Sequence, residues 1–208
     1  MLVNMSVVEF SNVLASDAPA PGGGSVAALS GALGADLVRM VCNLSSGRAE
    51  YAEHEHEIVR ALEASSALSR SLLECVDRDT EAFNGVMAAF KLPKSTDEEK
   101  AERREAIQRG YKDAVQSPLR TARECLKVIV IAESLFGRTN SNALSDLAVG
   151  AEQAHAGLRG AVLNIRINLP SIKDDTFVTA TRSEADSLVR EGDAALDRVR
   201  ERFMKDVT

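Results

Sequence analysis

Three short stretches of this chain combine backbone freedom with polar side chains in a way that suits chemistry. The first is Pro21-Gly22-Gly23-Gly24-Ser25, just ahead of an Ala-rich apolar run. Consecutive glycines before a helix start can bring bare N–H groups against an anion or a carbonyl oxygen. No Gly-Lys-Ser/Thr follows, so this is not a Walker loop; no strand precedes it, so it is not a dinucleotide fingerprint. The plainer alternative is a turn that allows tight helix packing. The second stretch is Asp77-Arg78-Asp79-Thr80-Glu81, inside a long helical pattern. Asp77 and Glu81 share a face at spacing four, while Asp79 points toward the side of Phe83 and Val86. A charge run on a helix is usually a solvated face. Asp is a poor helix former, however, and two in one turn ask for a reason.

The third stretch runs from Asn140 to Asp146. Ser145 and Asp146 fall in the first turn of the helix that follows, where a carboxylate gains from the helix dipole and serves equally well as a cap. Further along, Asn164 and Asn168 stack one turn apart among apolar neighbours. Buried amides need hydrogen bonds, and a flat heterocycle with alternating donors and acceptors would supply them. The histidines are less promising: His54 and His56 face different sides of a helix, and His155 is alone. Cys42, Cys75 and Cys125 have no neighbouring His or Asp motif. We therefore expect neither a metal site nor covalent catalysis.

Helices must position these groups. Ser6 with Glu9 makes a capping box for a short helix through Leu14. Ser25 can cap a helix over residues 26–44, whose Ala27, Gly31 and Ala35 seam invites close approach by another helix, in the core or at a subunit interface. Residues 50–90 continue the helical pattern, with a bend expected near Ser65 to Ser71, and stop at Lys91-Leu92-Pro93-Lys94. Thr96 with Glu99 opens a charged helix to about Gln116, and Ser117-Pro118 looks like the N-cap and first position of the next. Residues 143–169 and a helix capped by Thr181 and Glu184 complete the chain. The expected fold is all-α: one domain over residues 1–208, a bundle of about seven helices, dimeric.

Composition bounds the partners. The net charge of -6 argues against nucleic acid. Three well-separated cysteines, and a start without a basic region before an apolar stretch, suggest a reduced, cytoplasmic protein. The apolar run at residues 26–35 is interrupted by Asp36 and Arg39, so no membrane span is expected.

Taken together, Ala20 to Ala28, Asp77 to Phe83, Lys91 to Lys94, Asn140 with Leu144-Ser145-Asp146-Leu147, and Asn164 to Leu169 resemble, in order and over nearly the whole chain, the formiminotetrahydrofolate cyclodeaminase / methenyltetrahydrofolate cyclohydrolase family. Arg166 stands where other members can have an aliphatic residue. The resemblance implies a homodimer or an assembly of dimers, a folate site near the subunit interface, and no cofactor beyond the tetrahydrofolate substrate. It implies ring closure of 5-formiminotetrahydrofolate with release of ammonia, with hydrolysis of 5,10-methenyltetrahydrofolate as the second reading; the competing class is a non-catalytic helical dimerisation module that has kept the fold and lost the chemistry. Asp77, Asp79, Ser145 and Asp146 are then the candidates for proton transfer and cation stabilisation. Pro21, Gly22, Gly23, Gly24, Ser25, Lys91, Asn140, Asn164 and Asn168 are the candidates for substrate binding, with Lys91 meeting the glutamate tail.

Overall fold

Apolar residues recur every three to four positions along most of the chain, and each such run closes into a helix. The computed structural model describes residues 1–207, and among them there is no strand. α1 spans Val7–Leu14, α2 Gly23–Ser45, α3 Glu55–Phe90, α4 Asp97–Leu135, α5 Leu144–Asn168 and α6 Asp175–Val207. Both expected capping boxes are present, Ser6 with Glu9 and Thr96 with Glu99.

Four boundaries differ from expectation, the first being that α3 starts at Glu55, after a 3-10 stretch at Ala49–His54, rather than at residue 50. Pro118 lies inside α4 rather than opening a new helix, so the described residues hold six α-helices. A proline forfeits the backbone bond to the carbonyl four residues earlier, here that of Ala114, and usually breaks a helix. In α4 Pro118 is buried, with Val115, Leu119 and Ala122 buried around it, and this packing carries the helix through. α2 starts at Gly23 with Gly22 at its N-cap, rather than at Ser25. α6 starts at Asp175, where the Asp174 carboxylate accepts the Phe177 N–H at 3.0 Å; Thr181 lies buried within the helix.

α2 is the centre of the bundle, packed against α3, α4 and α5. At 23 residues, with a mean hydropathy of 1.4 over an 18-residue window, it is long and apolar enough to cross a membrane. Here that character serves a core: Ala28, Ala32, Ala35, Val38 and Val41 are wholly buried. The small residues of α2 meet small residues of α5. A Cβ on Gly34 would lie 2.5 Å from the Gly150 carbonyl oxygen and 2.9 Å from the Ala154 nitrogen, and backbone cannot swing aside. Gly34→Ala is therefore expected to cost about 1–3 kcal/mol despite alanine's better helix propensity. Thermal melting should fall by several degrees; an unchanged midpoint would contradict this packing.

Ser25, at the start of α2, is level with Asp79 of α3. The last three turns of α3 and the first turns of α4 thus project beyond α2 as a two-helix arm. Edge-to-face packing of Phe90 on Tyr111 and a guanidinium of Arg103 over Phe90 hold the arm together. The angle between this arm and the α2/α5 pair opens a cleft.

Candidate functional site

The cleft has a volume of about 350 Å³, within the range of small-molecule pockets. One wall is the start of α2 with the end of α5: Gly22, Gly23, Asn164 and Asn168. The other is the arm, where Phe83, Val86, Met87, Phe90 and Tyr111 make an apolar and aromatic face. Asp79 and Thr80 lie where the walls meet. Large apolar side chains half exposed to an open cleft suit a flat ligand, because each ring face contributes area without needing a polar partner.

Asp79 is the charged group of this cleft lining. Its Oδ2 accepts the Ser25 N–H at 3.0 Å and lies 3.4 Å from the Ser25 hydroxyl. It therefore caps α2 from another helix, a role that Gly22, without a side chain, cannot perform. Gly24 makes this approach possible, since a Cβ there would fall on the Asp79 carboxylate. Ser25 is wholly buried, and its hydroxyl donates to the Val76 carbonyl at 2.8 Å. Burial pushes the Asp79 carboxyl above the ordinary aspartate range, and the two hydrogen bonds from Ser25 offset part of that rise. The result is an acid that holds its proton more readily than a solvated aspartate does.

The two asparagines present acceptors. Asn164 Nδ2 donates to the Gly160 carbonyl at 2.9 Å, and Asn168 Nδ2 to the Asn164 carbonyl at 2.8 Å. Each amide spends one N–H on its own helix, which leaves its oxygen and its other N–H for a ligand. Beside them on the same wall, the N–H of Gly23 has no earlier turn to bond to. The cleft thus offers acceptors, a helix-terminal donor and one carboxyl with a raised pKa.

Other expected residues lie elsewhere in the chain. Asp77 faces away from the cleft; its Oδ1 accepts the Leu2 N–H at 2.5 Å and ties the N-terminal turn to α3. Lys91 is exposed, one residue past Phe90 at the end of α3, and does not line the cleft. Pro21 is buried behind the glycine turn. Asn140 caps the turn at Ser141–Ala143, and its N–H donates to Ser45 Oγ at 2.9 Å, at the opposite end of the bundle. Ser145 and Asp146 are at that end too. Asp146 precedes Asn164 by 18 residues of one helix, a separation of about 27 Å. Within a single chain they cannot touch the same small ligand.

The apolar wall and Thr80 were missed. Phe83, Val86, Met87 and Phe90 follow helical spacing, which reads as core; only the arm's projection past α2 turns that stripe into a cleft wall. The cysteines are all buried, with burial pushing the Cys42 thiol up to about 11. His155 pairs with Asp193 at 2.7 Å between α5 and α6, outside the cleft lining.

Comparison with known proteins gives a consistent set of relatives. The sequence pattern of the formiminotransferase-cyclodeaminase family matches residues 6–187. The chain is 43% identical over 201 residues to a methenyltetrahydrofolate cyclohydrolase of Methylorubrum extorquens, covering 97% of each chain. It is 37% identical over 190 residues to the formimidoyltransferase-cyclodeaminase of Rattus norvegicus, spanning 91% of this chain and 35% of that one. A solved structure of formiminotetrahydrofolate cyclodeaminase from Thermotoga maritima superposes with a TM-score of 0.89 at 28% identity, covering 100% of both chains.

Proposed function

The chain belongs to the formiminotransferase-cyclodeaminase family, and from that premise we propose that it acts on the one-carbon bridge between N5 and N10 of tetrahydrofolate. The observation that carries this reading is the cleft itself: a carboxyl with a raised pKa set between acceptor amides and an aromatic wall. In ring closure, N10 attacks the carbon of the N5 formimino group, whose nitrogen is protonated. Asp79 takes the proton from N10 and returns it to the amine, the carbon–amine bond breaks, ammonia leaves, and the methenyl cation remains. In hydrolysis, Asp79 takes a proton from the water that attacks the methenyl carbon and returns it to N5 as the carbon–N5 bond breaks; the remaining hydroxyl proton leaves to solvent as the formyl carbonyl forms on N10. Both routes share a tetrahedral carbon between two nitrogens, and the proton travels a short path held by one side chain.

Ring closure with ammonia release is the first reading. Hydrolysis stands level with it because of one specific observation, the 43% identity over nearly full length to a cyclohydrolase. In either case the Asn164 and Asn168 oxygens accept from the amino edge of the pterin, and the arm's aromatic face covers its ring. The chain's own residues suffice for the proton steps, with no cofactor beyond the folate. Incubation with 5-formiminotetrahydrofolate and with 5,10-methenyltetrahydrofolate separately, following ammonia and methenyl absorbance, tests the proposal. Turnover of one or both is expected; turnover of neither would contradict it.

The same reading includes a second copy of the chain. Leu33, Met40 and Leu44 on α2, with Val149, Ala156, Leu163 and Ile167 on α5, face outward at helical spacing; Leu163 is 64% and Ile167 75% exposed. Exposed apolar side chains repeated along two adjacent helices are unusual on a monomer. A two-fold axis through its middle sets the two α5 helices antiparallel, so the Ser145–Asp146 end of one chain lies toward the cleft of the other. In that arrangement Asp146 supports the cation from across the interface. The protein is expected to run at about twice its 22.3 kDa chain mass. Leu163→Glu with Ile167→Glu should yield monomers with reduced turnover. A fully active wild-type monomer would contradict the shared site.

A further inference from the structure

Thr80 carries a polar atom with nothing to do. Its Oγ1 is sealed from solvent and hydrogen-bonds to no protein group. Threonine in a helix normally turns its hydroxyl back onto the carbonyl four residues earlier. For Thr80 that carbonyl belongs to Val76, and it already accepts the Ser25 hydroxyl at 2.8 Å as well as the helix's own N–H. A carbonyl oxygen has two lone pairs, so the usual partner is saturated. A buried hydroxyl left without a bond carries a desolvation penalty, and such groups in a folded protein call for an explanation. Thr80 lines the cleft, beside Asp79. Rotation about χ1 exchanges its hydroxyl with the methyl group on the same carbon, and threonine populates two such wells in helices.

We propose that Thr80 is a substrate-binding residue, its hydroxyl kept free by the Ser25–Val76 bond so that it donates to an acceptor atom of the folate heterocycle next to the reacting carbon. This rests on the reading of the cleft as a folate site. The other cleft groups fit the assignment: on the α3 side of the cleft the neighbouring side chain, Asp79, accepts the Ser25 N–H, so the Thr80 hydroxyl supplies a side-chain donor there for a ring carbonyl or ring nitrogen.

Thr80→Val keeps the shape and removes the hydroxyl; Thr80→Ser keeps the hydroxyl. With whichever folate the wild type turns over, Thr80→Val is expected to raise KM roughly 3- to 10-fold, the worth of one neutral hydrogen bond, with a smaller change in kcat. Thr80→Ser should stay within about two-fold of wild type, on the scale of that same bond. Because the hydroxyl bonds to no protein group, Thr80→Val should melt at or above the wild-type temperature. A KM unchanged in Thr80→Val, or a melting point lowered by several degrees, would overturn the inference while leaving the folate reading intact. A wild type inert toward both folates would overturn both.

Discussion

Asp79→Asn is expected to lower turnover about 10²–10⁴-fold, the usual contribution of a positioned proton-transfer group, in a protein that still folds. Asparagine keeps an oxygen for the Ser25 N–H, so the start of α2 stays capped. What disappears is the proton. The pH profile gives a second readout of the same variant. Burial raises the Asp79 pKa above the ordinary value of 3.8, so the acidic limb of wild-type kcat/KM should lie above that value and vanish in the variant. The sign for stability is the opposite of the familiar salt-bridged aspartate. A raised folded-state pKa favours folding fully below the ordinary value and progressively less as pH rises through the raised one, so Asp79→Asn should flatten that dependence. Wild-type-like turnover in Asp79→Asn would remove Asp79 from the chemistry.

Gly24→Ala is expected to lose about 10²-fold in turnover with little change in melting temperature. The added Cβ would fall on the Asp79 carboxylate, the nearest group to it. A carboxylate at the end of a short side chain can swing away, unlike the backbone met at Gly34, so the fold accommodates the methyl group. The accommodation displaces the one group whose position matters. A shift of about 1 Å at a reacting centre is enough for a loss of this size. Alanine's higher helix propensity, about 1 kcal/mol over glycine, offsets the lost Ser25–Asp79 bond. Full activity in Gly24→Ala would mean that the contact between the glycine turn and Asp79 is packing alone.

Much of this arrangement can be read along the chain because helices announce themselves locally. The capping boxes at Ser6 and Thr96 and the small-residue seam of α2 all follow from spacing of a few residues, and the structure has them. The glycine turn, Asp79, Asn164 and Asn168 are brought together as the motifs suggested. Two kinds of information were not local. Whether Pro118 starts a helix or sits inside one depends on what buries it, and the sequence around it is compatible with either. Whether Asp77 or Asp79 faces a site depends on which neighbour covers each side of α3. The N-terminal turn takes Asp77, and the start of α2 takes Asp79. Ser145 and Asp146 illustrate a third limit: their distance from the cleft within one chain is a property of α5's length, while their proposed approach to it requires a second chain.

A crystal structure with a stable reduced folate bound tests the account most directly. The one-carbon bridge should lie within hydrogen-bonding reach of the Asp79 carboxyl, about 2.6–3.2 Å or through one water. The pterin should lie between the Asn164 and Asn168 amides and the Phe83–Phe90 face of the arm. Density for the folate on another surface, with Asp79 still occupied only in capping α2, would contradict it.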